Sequence, residues 1–114
     1  MSTNDDFDPI FKALAHARRR AILDCLKKEP MTTGGLCQHF HDMDRCTVMQ
    51  HLKVLHDAGL VVVTREGRER WNHLNALPIK EIADRWIGDY AQHAVRMLSS
   101  LERDLGLRNK KETT

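Results

Sequence analysis

Between Asp44 and Leu74 the spacing of apolar residues changes once, and that change leaves few folds open to the chain. Asp44 is a helix-capping residue type, and Val48, Leu52 and Leu55 then recur at i, i+4 and i+7, one stripe of an α-helix. Ala58-Gly59 supplies a stop signal. Directly afterwards Leu60-Val-Val-Val-Thr64 is β-branched and Arg70-Trp-Asn-His-Leu74 alternates, with Glu66-Gly67-Arg68-Glu69 between them. This predicts a β-hairpin, because alternation suits a pleated strand and glycine suits a tight turn.

The flanks read as helices. Asp8-Pro9 offers a cap followed by proline at a first helical position, and Ile10, Phe11 and Leu14 give a stripe ending near Ala15. Ala21, Ile22, Cys25 and Leu26 mark a second helix from Ala17 to just before Glu29-Pro30. Thr32 or Thr33 caps a third, short one carrying Leu36 and Phe40, with Gly34 and Gly35 limiting its length. His41 to Met43 turn the chain into Asp44. Beyond Pro78, a helical stripe of Ile79, Ile82, Trp86, Tyr90, Ala94, Met97, Leu101 and Leu105 runs on, with an interruption expected at Gly88. The expected class is mainly α with a β-hairpin, as one domain over 1–106 followed by a polar, frayed tail at 107–114.

A chain of 114 residues supports one small core and leaves apolar surface uncovered, so a second copy is the expected cover. The net charge of +2 hides a lopsided layout. Asp5, Asp6 and Asp8 precede Lys12, Arg18, Arg19, Arg20, Lys27 and Lys28, and local positive surface of this kind admits nucleic acid as a partner. Cys25, Cys37 and Cys46 are odd in number and fit free thiols in a reducing compartment. No apolar run reaches the roughly 20 residues of a membrane span, and the acidic opening lacks the basic start and apolar core of a signal peptide. A cytoplasmic protein with no membrane partner is expected. With no glycine-rich phosphate loop, nucleophile elbow or His-Glu-x-x-His pair, neither catalysis nor a cofactor is expected.

On the Asp44-capped helix, Val48, Leu52 and Leu55 point inward. Cys46, Met49, Gln50 and Lys53 point away, with Arg45 and Thr47 at the amino end. Such a mixture matches a major groove: arginine and lysine offer donors to guanine or phosphate, glutamine pairs with an adenine edge, and apolar groups meet a thymine methyl. A following hairpin with Arg65, Arg68 and Arg70 near its tip completes a winged helix-turn-helix layout.

The runs Phe11-Lys-Ala-Leu-Ala15, Arg18-Arg-Arg-Ala-Ile-Leu23, Val48 through Val61 and Glu66-Gly-Arg68 resemble ArsR-type (arsenical-resistance-repressor-like) transcriptional regulators over about residues 7 to 75. That resemblance implies a homodimeric winged-helix repressor on an inverted-repeat operator, released by a ligand. Carried over by position, Arg45, Cys46, Thr47, Met49, Gln50 and Lys53 fall on the DNA-reading helix and Arg65, Arg68 and Arg70 on the wing. The dimer interface falls on Phe11 of the first helix and on Ile79, Ile82, Trp86, Tyr90, Ala94, Met97 and Leu101. The metal-sensing branches carry a Cys-x-Cys pair where this chain has Thr32 and Gly34. A zinc-sensing set would begin with Asp89 and His93, but no second histidine follows. The resemblance is therefore to a branch without these metal ligands.

Other readings stay open beside this one. Cys37, His39 and His41 are possible metal donors, although their spacing fits a partly buried thiol with solvated histidines better. Cys46, beside Arg45 in a first helical turn, could act as a thiol switch, against the plainer role of a small residue near a base. Arg18-Arg-Arg20 could touch phosphate or lie solvated. His51 reads as a satisfied, partly buried histidine, and Trp86 and Tyr90 as filling a dimer seam rather than a ligand pocket. The alternative from another class is a helical protein-interaction module that reads no DNA sequence.

Overall fold

The computed structural model describes residues 3–106, with side chains throughout except at residues 3–6, 89 and 90. The tail expected over 107–114 and the side chain of Tyr90 lie outside the described residues. The chain divides into two compact units, Met1–Lys80 and Glu81–Thr114.

The first unit opens with helix α1 (Thr3–Leu14) and α2 (Ala17–Lys28). Here the sequence expectation needs correction, because α1 begins well before Asp8 and holds Pro9 inside it. Proline's fixed φ is itself helical; inside a helix it forfeits the amide bond to the preceding turn and crowds the carbonyl four residues back, a cost that α1 bears. The first helical position is the best place for proline, not the only one. The buried side of α1 is Ile10 and Ala13, whereas Phe11 is 45% exposed. His16 caps α2 by accepting the Arg18 amide at 3.2 Å.

A strand missed by periodicity follows: β1 (Met31–Thr32), then α3 (Thr33–His39) and α4 (Arg45–Asp57). Thr32 caps α3 through its hydroxyl, which accepts the Gly35 amide at 3.0 Å. Asp44 caps α4 by accepting the Thr47 amide at 2.7 Å. Because these bonds to the Thr47 and Cys46 amides favour the ionised form, the Asp44 carboxyl is held below its ordinary pKa.

Strands β2 (Val61–Glu66) and β3 (Glu69–Leu74) form the expected hairpin, with β1 added on the far side of β3 in an antiparallel order β1-β3-β2. Its two-residue turn puts Gly67 at φ +62 and leaves Arg68 at negative φ, the pattern of a type II′ turn, which glycine takes without a Cβ clash. Asn72 is 2% exposed and ties β1 to the hairpin, its amide donating to the Met31 carbonyl at 3.2 Å and to Thr33 Oγ1 at 3.1 Å. At the hairpin's exit Asn75 joins three element ends. Its amide donates to the Gly59 carbonyl at 2.9 Å, its backbone N–H to the Leu60 carbonyl at 2.8 Å, and its Oδ1 accepts from the Leu77 amide at 3.2 Å.

The core of this unit is Ile22, Leu23 and Leu26 from α2, Leu36 and Phe40 from the α3 region, Val48, Leu52 and Leu55 from α4, and Leu60 and Val61. α3 and α4 contribute the stripes their spacing predicts, whereas α2 buries Leu23 with Ile22 and Leu26 and leaves Ala21 and Cys25 half-buried, and α1 buries Ile10 and Ala13 in place of Phe11 and Leu14. The final stretch is two helices, α5 (Leu77–Trp86) and α6 (Asp89–Leu105), interrupted where expected, with Gly88 at the α6 amino end and Gly106 closing it at φ +74. Among the described residues no helix is long and apolar enough to cross a membrane.

Candidate nucleic-acid interface

α4 is fixed on one side and open on the other. With Val48, Leu52 and Leu55 buried and Asp44 capping its amino end, the helix has a defined roll, and that roll leaves Arg45, Cys46, Met49, Gln50 and Lys53 exposed. Thr47 is half-buried at the cap. Met49 is 43% exposed, an unusual position for a thioether on a plain solvent face.

The hairpin register then supplies a feature that the sequence pattern alone did not reveal. Arg65 lies opposite Arg70, and Glu66 opposite Glu69. Because successive strand residues alternate between faces, the two arginines share one face with Val61, Val63 and Asn72, while the two glutamates share the other with Val62, Thr64, Trp71 and His73. Like charges directly opposite cost stability unless an anion or another partner offsets them. The arginine face is the one that turns toward α4. Arg70 lines a trough together with Met49, Gln50, Leu52, Lys53 and Val63, whereas Arg68 sits exposed in the turn itself.

The structure thus brings Met49, Gln50, Lys53 and Arg70 together. Arg45 borders a separate, shallower depression with Cys37 and His41. Lys53 is 2.8 Å from Asp57 one turn along α4, and the ammonium holds the Asp57 carboxyl below its ordinary pKa. Cys46 is exposed, as the sequence reading places it.

The basic run of α2 is engaged within the protein. Arg18 pairs with Asp42, Arg19 donates to the Lys12 carbonyl at 3.1 Å, and Arg20 donates to the Leu14 carbonyl at 2.7 Å. Arg19 and Arg20 therefore serve the carbonyl end of α1, where cations are favoured. Around Cys37, α3 stops at His39, so His41 is not on the same helix. Cys37 is half-buried, and His39 and His41 are exposed. Among the described residues no group of three His, Cys, Asp or Glu side chains is placed to hold a metal ion.

On the side of α4 turned toward α2, His51 is the half-buried histidine that the sequence indicates. Its Nδ1 accepts from Arg19 Nε at 3.2 Å, and its ring centroid is 4.6 Å from that of His16. Burial, and then the charges of His16, Arg19 and Arg18, hold the His51 pKa below the histidine value of 6.5. Folding therefore favours the neutral ring, a contribution complete above 6.5 and lost as pH falls below it. The urea midpoint of the wild type is expected to drop more between about pH 7.5 and 5.5 than that of His51→Gln, whose amide oxygen still accepts from Arg19. Equal drops would remove His51 as the titrating group.

Comparison with known proteins agrees with this layout. The helix-turn-helix domain family matches residues 14–64. The chain is 36% identical over 90 residues to YuzN of Bacillus subtilis (strain 168), an uncharacterized HTH-type transcriptional regulator, taking in 74% of this chain and 98% of that protein. It is 32% identical over 72 residues to the transcriptional repressor SdpR of the same organism, taking in 63% of this chain and 79% of that protein. The crystal structure of an ArsR family transcriptional regulator overlays with a TM-score of 0.66 at 29% identity, over 78% of this chain and 90% of that one. These relatives are transcriptional regulators, not enzymes. With the capped helix, the hairpin wing and the resemblance in residues all agreeing, the chain belongs to the ArsR-type winged helix-turn-helix family of DNA-binding transcriptional regulators.

Proposed function

We propose that the protein is a homodimeric repressor that lays α4 in the major groove of an inverted-repeat operator and sets its wing on the adjacent backbone. The observation that carries this reading is the shared side of Gln50, Lys53 and Arg70. One concave surface offers an amide for a base edge and cations for phosphate. Arg45, Cys46, Thr47 and Met49 extend the reading helix, and Arg65 and Arg68 extend the wing. Repression is supported by the likeness to SdpR, a transcriptional repressor.

Dimerisation is supported separately by apolar surface. Ile79 of α5 and Val95, Met97, Leu98, Leu101 and Leu105 of α6 are exposed in the single chain, as are Phe11 and Trp86. Ala94, Leu98, Leu101 and Leu105 recur at i, i+4, i+7 and i+11, the seam spacing that a second helix buries. Ile82 is half-buried on α5, and Leu98 and Val95 add to the stripe read from the sequence.

Selection of bound duplexes from a random pool tests the whole reading, and twofold-symmetric sites are the expected product. On such a site Gln50→Ala is expected to cost about 1–3 kcal/mol and to relax preference at one position. Arg68→Ala is expected to weaken cognate and random duplex alike and to lower the salt dependence by about one ion. Equal losses on both duplexes for Gln50→Ala would exclude base reading by that residue. Binding that barely responds to salt would favour the protein-interaction module instead.

A further inference from the structure

The trough between α4 and the hairpin is open on one side and has a volume of about 520 Å³, within the range of small-molecule sites. Its chemistry is divided. Met49, Leu52 and Val63 supply apolar lining, while Gln50, Lys53, His56, Asp57 and Arg70 supply polar groups. Lys53 lies 2.8 Å from Asp57 in an exposed pair, so its charge is partly offset in the free protein yet open to an anion. Arg70 has no carboxylate partner among the described residues, and across the ladder it faces Arg65.

One uncompensated guanidinium beside an apolar lining specifies its ligand class. A bare inorganic anion would leave the Met49, Leu52 and Val63 surface wet, and a neutral apolar molecule would leave Arg70 unmatched. We propose that this trough binds a small organic carboxylate with an apolar body, its carboxylate on Arg70 and its body against Met49, Leu52 and Val63. Arginine suits this role because its planar fork meets both carboxylate oxygens. Such a ligand lies on Gln50, Lys53 and Arg70, so it and DNA exclude one another. This exclusion rests on the proposed DNA-reading surface, but the binding itself does not.

The test uses the whole chain with labelled methyl groups and 1-naphthoate as probe, alongside 1-naphthalenemethanol and inorganic phosphate. Naphthoate is expected to move the Met49, Leu52 and Val63 methyl resonances saturably, with phosphate moving none of them. Arg70→Gln is expected to weaken naphthoate about tenfold while leaving the alcohol unchanged, since a charge-assisted bond is lost only for the anion. Shifts confined to Leu98, Leu101 and Leu105 of α6, or equal effects of Arg70→Gln on acid and alcohol, would overturn the site. Naphthoate at about nine times its Kd is expected to raise the apparent Kd of a selected duplex about tenfold, as simple competition requires. Unchanged naphthoate binding on duplex-saturated protein would overturn the exclusion. If naphthoate fills the trough of a protein that binds no duplex, the site stands and the DNA-reading surface falls. If duplex binds and the trough stays empty, this inference falls alone.

Discussion

Leu101→Glu is expected to yield a monomer whose affinity for a selected operator is lower by at least about 100-fold, the size of effect that follows when two linked half-sites are no longer engaged together. Leu101 is 52% exposed in the single chain, so a glutamate there leaves the protomer's own core untouched. In a dimer it would carry a charge into an apolar seam flanked by Leu98 and Leu105, where desolvation is costly without a partner. Sedimentation equilibrium reads the assembly, and titration of full-site and half-site duplexes reads the coupling. The variant and wild type should bind a half-site equally. Exposed Arg103, also on α6, gives the control, and Arg103→Ala should remain dimeric. A Leu101→Glu protein that stays dimeric would move the interface off this stripe.

Leu55→Ala is expected to lower stability by about 2–5 kcal/mol, which for a small domain is a large share of the roughly 5–15 kcal/mol available. Leu55 is 0% exposed, and its carbonyl accepts the Leu60 amide at 2.9 Å where α4 turns into the hairpin. Removing its side chain leaves a void in the buried core that the surrounding packing closes only in part. Met49→Ala on the same helix removes a similar volume from the open face and should change stability by about 0.5 kcal/mol at most. Urea denaturation at one fixed protein concentration compares the two, because association would otherwise enter the result. Similar midpoints for both variants would mean that α4 is rolled differently from the structure described above.

What the sequence disclosed follows from how local each cause is. The Asp44 cap was legible, and the α3 cap to within Thr32 or Thr33, because each side chain accepts an amide three residues on, and the hairpin because Gly67 and the alternation beside it act within a few residues. The strand at Met31–Thr32 was not legible, since two residues carry no period and their ladder partners, Asn72 and Trp71, lie far along the chain. The early start of α1 was hidden by a rule that places proline at a first turn. Arg18 and Arg19 read as a basic patch only until Asp42 and His51 are brought against them. At the candidate interface the residue types were readable, yet the two-sidedness of the wing was not. Assigning Arg65 and Arg70 to one face and Glu66 and Glu69 to the other requires the strand register, and a shift by a single residue would exchange the faces.

The three bonds made by Asn75 divide the hairpin into a fixed base and an exchangeable cap. The base is fastened to the end of α4 and to the start of α5, while the tip from Glu66 to Glu69 makes, among the described residues, hydrogen bonds only within its own ladder. Lengthening the loop at Gly67 or transplanting that cap from another regulator would therefore alter reach and charge without retuning the helix beneath it. Diversification of target choice in such a scaffold has two independent dials.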